Sequence, residues 1–269
     1  MKNFFVNLYK KIIFNLSSNN SFIFIRYYRN FYKPKPNTIS FELDKYSKKL
    51  KDEFYVIQIG ANDGIDNDLI HKFIKRDNWR GVLLEPQKYV FEKYLSKIYK
   101  KNNGINVINS AIGYSDGEIT LYKIGFCNER WATGLASFKK ESLEKAFLNG
   151  YIKKRAKKSK IQIPEEKEKH IIEEKVNVIC PNTLIKNFGI QKIDLLQIDA
   201  EGFDYDVIKM FDISKNKPNL IIFENTHFSK TEFNECINLL QNNNYEIKSY
   251  GGNSIAISDN FKNNMNFSV

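Results

Sequence analysis

Cysteine is scarce in this chain: Cys127, Cys180 and Cys236 lie far apart and form no Cys-x-x-Cys pair. That spacing argues against a disulfide framework, and the equally scattered His71, His170 and His227 argue against a zinc site. A reducing, cytoplasmic interior is the compartment such a composition fits. No apolar run near the start approaches the ~18 to 20 residues that cross a bilayer, and no small-residue cleavage site is visible there. Neither a transmembrane helix nor a secretory signal is therefore expected. An RNA-binding aromatic motif and a helix-turn-helix pattern are also missing, which speaks against nucleic acid as a partner despite a formal net charge of +11.

Acid is absent from one whole region. Residues 1–37 contain Lys2, Lys10, Lys11, Arg26, Arg29, Lys33 and Lys35 and not one Asp or Glu. These cations alternate with Phe4, Phe5, Leu8, Tyr9, Ile12, Ile13 and Phe14, then with Phe22, Phe24, Ile25, Tyr27 and Tyr28, and the KPKP run at 33–36 reads as a linker. Two readings compete. Such a leg docks peripherally on an anionic membrane, here the inner face of the cell membrane, or it packs as helices on the core or on a second subunit. The second weighs slightly more, because amphipathic stripes usually face protein. The chain then divides into a basic, aromatic-rich helical leg (1–40) and one domain (41–269), with 42% hydrophobic content to build its core.

What is present in the middle of the chain is an alternation of strands and helices. Strands are expected at 54–60, 81–85, 106–110, 193–199 and 219–224, with helices at about 66–76, 87–101, from Phe203, and 230–243. Repeated βα units predict an α/β fold with a mostly parallel sheet covered on both faces. A hairpin from Tyr245–Tyr250 to Ser254–Ser258 across Gly251-Gly252-Asn253 closes it. The pattern breaks between Glu118 and Val178. A short strand at 119–124 and the loop WATGLASF (131–138) lead there into about 35 polar, helical residues with the cluster KKRAKKSK at 153–160. This is an insertion, at about 125–178, that presents either a solvated helix face or a basic lid for an anionic substrate.

The stretch FYVIQIGANDG (54–64) runs a buried strand into a glycine turn. Gly60 and Gly64 give that turn its freedom, and Glu85 ends the next strand about 20 residues on, where a carboxylate can hold ribose hydroxyls. The three glycines of a dinucleotide turn are not there: Asn62 stands where a pyrophosphate would approach. A nicotinamide oxidoreductase is thereby disfavoured, and S-adenosylmethionine, an adenosine joined to an amino acid, fits.

In these residues the chain resembles the FkbM-type methyltransferases. The blocks that carry the resemblance are VIQIGANDG (56–64), GVLLEPQ (81–87), VINSAIG (107–113), WATGLASF (131–138) and IDLLQIDAEGFDYDVIK (193–209). One departure is Gln58, where many class I methyltransferases carry an acid. The resemblance implies a class I, Rossmann-like methyltransferase fold and S-adenosylmethionine-dependent O-methylation of a sugar hydroxyl, with a sugar nucleotide or glycan precursor as substrate. It places Gly60, Asn62 and Gly64 along the methionine portion, Glu85 at the ribose, Ser110 or Ala111 beside the adenine, and Asp199 at the edge of the same pocket.

Two strand ends concentrate polar groups: Asp199 with Glu201, and Glu224-Asn225 with His227. Ligands in open α/β sheets bind at such carboxyl ends. Asp199, Glu224 and Asn225 form an oxygen-rich set suited to Mg²⁺, similar to the metal site of catechol-type O-methyltransferases, while Asp199 and Glu201 could equally cap the helix that follows. His227 is the candidate general base, with Asp199 the second catalytic candidate; His71 and His170 look structural or solvated. Trp131 and Phe138 either stack on a substrate or plug the core. A non-catalytic protein that keeps the adenosine pocket and docks on a membrane or partner is the alternative function, and the oligomeric state stays open.

Overall fold

A computed structural model describes residues 2–265, with side chains from residue 8 onward, so Lys2, Phe4 and Phe5 lie outside the described side chains. The strands are β1 (Tyr55–Ile59), β2 (Arg80–Leu84), β3 (Ile105–Ile108), β4 (Ala111–Ile112), β5 (Gly117–Ile124), β6 (Ile171–Ile179), β7 (Leu195–Ile198), β8 (Leu220–Glu224), β9 (Tyr245–Tyr250) and β10 (Asn253–Ser258). A seven-stranded sheet runs in the order β3-β2-β1-β7-β8-β10-β9. Its first five strands are parallel, and β10 enters antiparallel between β8 and β9. This is the expected class I arrangement, with the closing hairpin folded so that its second strand lies inside the first.

The strands are apolar on both faces because both faces are covered. Successive residues serve opposite layers: Val56, Leu83 and Leu195 join a core with Phe54, Phe73, Trp79 and Tyr99, while Ile57, Leu84 and Leu196 join another with Phe211, Phe223 and Leu240. Strands β1, β2 and β3 step to one side, after which the chain returns to β7 on the other side of β1. The crevice for a ligand therefore opens at the carboxyl end of β1.

Leg and domain are built together. Helices α1 (Lys2–Ser18) and α2 (Phe22–Phe31) precede α3 (Ile39–Leu50), whose N-cap Thr38 accepts from Phe41 N–H. Helix α3 crosses the boundary expected at residue 40 and sends Leu43 and Tyr46 into the core. Helix α2 lies on α4 (His71–Asp77), with Phe24 and Tyr28 buried and the ring of Tyr32 5.7 Å from that of Phe73. The end of α1 is fastened by Lys75 Nζ, which donates to Ser17 O at 3.0 Å, Asn20 Oδ1 at 2.7 Å and Ile98 O at 2.8 Å. Buried His71 contacts Ser17 Oγ and Tyr99 Oη, and His170 contacts Pro164 O, so both are structural as expected.

The insertion departs from the helical stretch expected after the WATGLASF loop. A single helical turn, Arg130–Thr133, opens that loop, and the helices Lys140–Leu148 and Tyr151–Ser159 follow before the nine-residue strand β6. That strand pairs antiparallel along β5 from Gly117↔Val178 to Ile124↔Ile171 and parallel with β4, forming a second sheet. The charged sequence IIEEKVNVI does not advertise a strand; its non-local pairing with β5 makes it one. The insertion carries a core of its own, in which Trp131 packs with Ile124, Leu143, Ile152 and Ala156. Trp131 is thus a core plug.

Candidate active site

The turn after β1 is shaped by backbone that side chains resist. Gly60 has φ +78°, and a Cβ there would stand 2.0 Å from Asp199 O, so the ends of β1 and β7 touch at this residue. Asn62 also adopts a positive φ of 46°, a conformation asparagine tolerates. Its N–H donates to Glu85 Oε2 at 2.9 Å, and Gln87 N–H donates to Glu85 Oε1 at 2.8 Å. Glu85 thereby locks the end of β2 to the turn. Burial pushes its carboxyl up to about 7, against the opposing pull of those hydrogen bonds.

One cavity, about 60 Å³, is lined by Gly60, Asn62, Glu85, Ser110, Ala111 and Asp199, so all the expected cofactor residues except Gly64 meet there. Gly64 instead backs onto Leu95 and Tyr99, where a Cβ would stand 2.9 and 3.1 Å from their side-chain carbons. Ile112, Leu121, Phe138 and Phe203 supply an apolar wall, with the rings of Phe138 and Phe203 edge to face at 5.7 Å. Phe138 therefore lines this cavity, whereas Trp131 borders the neighbouring cleft from the insertion core. Ser110 Oγ is spent on backbone, donating to Ala111 O at 2.9 Å and Asn177 O at 3.1 Å. Gln58 points away, its amide donating to Asp68 Oδ2 at 3.1 Å, and Asp68 in turn caps α4.

Beside the cavity the strand ends gather carboxylates. Asp204, fully buried, accepts from Ala200 N–H at 3.2 Å and from Glu224 N–H at 3.0 Å. It clamps the ends of β7 and β8 together, and burial lifts its pKa to about 7. Sequence reasoning overlooked this residue, although the spacing DAEGFD held the signal. Asp199 is open to the cavity, yet protein crowds it elsewhere: desolvation first, then Glu201, Asp204 and Glu224, raise it to about 8.

The group that converges differs from the one expected. Glu201, Glu224 and His227 each bring a ligand atom within 4.8 Å of the others, with His227 Nε2 3.5 Å from Glu201 Oε2 and 4.0 Å from Glu224 Oε2. Asn225 is turned aside, its amide donating to Ser254 Oγ at 2.8 Å, and Asp199 faces the cavity instead. The hydrogen bond to Glu201, reinforced by Glu224, holds the imidazole pKa above its ordinary value.

A family model for the methyltransferase FkbM domain matches residues 58–247, the span that holds both the cavity and this cluster. The chain belongs to the FkbM methyltransferase family. The matched segment is a methyltransferase domain by family, on the fold its strand order already displays. Among solved structures it is similar to the FkbM methyltransferase of Methylobacillus flagellatus KT, at 12% identity over 76% of this chain with a TM-score of 0.45. It spans 43% of that protein, less than half its length. It is also similar to the precorrin-6y C5,15-methyltransferase of Geobacter metallireducens GS-15, at 11% identity over 85% of this chain and 94% of that one, with a TM-score of 0.37. Comparison with curated proteins gives no match.

In this FkbM domain the WATGLASF segment roofs the cavity. Gln87 Nε2 donates to Thr133 O at 2.9 Å, Ser137 Oγ to Glu201 O at 3.2 Å, and Lys139 Nζ to Gly202 O at 3.0 Å. Arg130, just ahead of it, pairs with Asp63 at 3.5 Å and folds over Gly134, where any Cβ would clash with its Nη1 at 2.4 Å. The Nε that faces Asp63 is buried and makes no hydrogen bond beyond this ion pair, and the side chain lines the cavity. Ligand pockets run to about 300–1,000 Å³, so a cavity of 60 Å³ takes a ligand of that size only when its walls move apart. Beyond the roof lies a cleft of about 1290 Å³ between His227, Glu201 and the insertion, bordered by Lys145, Arg155 and Lys158.

Proposed function

We propose that the protein transfers the methyl group to a hydroxyl of a sugar carried on an anionic precursor, such as a sugar nucleotide. The observation that carries this reading is the place of Glu201. It borders both the cofactor cavity and the cleft, and it pairs with His227 at their junction. A base standing between a methyl donor and an acceptor is what O-methylation requires.

The residues present fit the cofactor. Glu85 offers carboxylate oxygen to ribose hydroxyls, Ala111, Ile112 and Leu121 offer an apolar slot for adenine, and Asp199 offers an acid to the amino group. Arg130, which lines the cavity beside its ion-pair partner Asp63, offers a cation to the carboxylate. When bound, the cofactor supplies an electrophilic methyl on a sulfonium. The chain aligns the acceptor oxygen with it, and His227 takes the hydroxyl proton, its imidazolium then stabilised by Glu201 and Glu224. The basic wall of the insertion holds the anionic group; Arg155 keeps a buried Nε with no hydrogen-bond partner.

The convergence of Glu201, Glu224 and His227 favours a second reading, in which these three hold a divalent cation that would polarise the hydroxyl. The imidazole suits a transition metal better than Mg²⁺, which prefers oxygen alone. Calorimetry with S-adenosylhomocysteine tests the cofactor site: the wild type binds and the Asn62→Ala/Glu85→Ala variant does not. Labelled methyl transfer to sugar nucleotides, with and without EDTA, then tests acceptor and metal. Cofactor binding without transfer to any hydroxyl acceptor would favour a non-catalytic role.

A further inference from the structure

Helix α2 is apolar on two sides, and the fold covers only one. Phe24 and Tyr28 face α4 and are buried. Around the other side Phe22 is 70% exposed, Ile23 80%, Tyr27 57% and Phe31 69%. At 100° per residue these four share a broad face with Arg26 and Asn30 between them. On α1, Leu8, Tyr9 and Ile12 are exposed as well. Ordinary surface helices carry single exposed apolar residues, not a contiguous row of aromatics. The row is not a misfolded core either, because Lys75 and the buried pair Phe24 and Tyr28 fix both helices on the domain.

Charge identifies what covers it. Lys11, Arg26, Lys33 and Lys35 are exposed on this leg, as are Lys10, which pairs with Asp66, and Arg29, which donates to Arg76 O, and residues 1–37 contain no acid of their own. A second copy of the chain placed symmetrically on the same face would bring these cations against their equivalents. An anionic lipid surface meets both requirements at once, taking the aromatic rings at headgroup depth and the lysines and arginines at the phosphates.

We propose that α1 and α2 form a peripheral docking face for anionic membranes. The face adjoins the site: Lys10 lines the same cleft as His227 and Arg155. Docking presents the cleft to acceptors at the lipid surface, so membrane-attached glycan precursors come within its reach.

The test is flotation of the full chain with vesicles of phosphatidylglycerol and phosphatidylcholine, or of phosphatidylcholine alone. The wild type floats with the anionic vesicles, releases with salt and ignores the neutral ones. A Phe22→Ser/Ile23→Ser/Tyr27→Ser/Phe31→Ser variant loses at least ten-fold in bound fraction, while its melting and its affinity for S-adenosylhomocysteine match the wild type. Arg26→Glu/Lys33→Glu loses binding with the apolar face intact. Equal flotation of wild type and quadruple variant overturns the proposal. So does sedimentation showing a wild-type dimer that the quadruple variant abolishes, because the face is then a subunit interface.

Discussion

At the scale of single residues, His227 and Asp199 carry the sharpest expectations, since each has been moved from its ordinary pKa by named neighbours. A base must be neutral to accept a proton, and Glu201 holds His227 protonated to higher pH. Turnover should therefore rise with pH above the ordinary histidine range, and Glu201→Gln should move that rise to lower pH. His227→Ala should cost about 10²- to 10⁴-fold in kcat with affinity for S-adenosylhomocysteine unchanged; a full rate in that variant removes His227 from the chemistry. Asp199 has a folded pKa raised to about 8, against 3.8 for its ordinary value. Between those values the folded state keeps a proton that the unfolded chain has lost, so this residue's contribution to stability falls as pH rises. Melting curves should accordingly show the Asp199→Asn variant gaining on the wild type from about pH 4 to pH 8. A constant difference across that range would mean that Asp199 is ionised throughout.

Among elements, the WATGLASF roof matters most. It is held from both sides, by Gln87 to Thr133, Ser137 to Glu201, Arg130 to Asp63 and a backbone pair between Ser137 and Tyr122, while Trp131 and Ala132 pack in the insertion core. A ligand that fills the cavity beneath it stabilises the closed segment further. Hydrogen exchange should find the amides of residues 130–138 slowing on addition of S-adenosylhomocysteine. Unchanged exchange there would show that another wall moves. The same segment shows why motif reading alone misjudges roles: Trp131 and Phe138 looked alike in the loop, yet one plugs the insertion core and the other faces the cavity. Only the pairing of β5 with β6, absent from any local pattern, decides which is which.

For the whole molecule, the leg is a structural part of the domain as well as its exposed face. Lys75 connects α1, α4 and the helical stretch at 88–99 through a single ammonium group. Replacing it leaves buried carbonyls without a donor, at about 1–3 kcal/mol for each unsatisfied group. Lys75→Met should lower stability by about 2–4 kcal/mol in urea titration and increase proteolysis within residues 1–20. A loss below about 0.5 kcal/mol would mean that α1 is held by other contacts.

Local sequence determined the strands and their order of chemistry. Apolar runs such as VIQI and LLQI, glycine at the β1 turn and acids at strand ends are properties of neighbouring residues, and the fold class and the β1 crevice were legible from them. Tertiary structure alone decided which polar groups meet. Glu201 rather than Asp199 reaches His227 because Glu201 adopts a left-handed turn with φ +48° after β7. Asn225 is withdrawn because β10 inserts beside β8 and offers Ser254. Gly64 stands outside the cavity because the helical stretch at 88–99 packs against it, and Arg130 lines the cavity because the insertion folds over the sheet. Each of these depends on contacts between residues far apart in the chain, which periodicity and spacing do not encode.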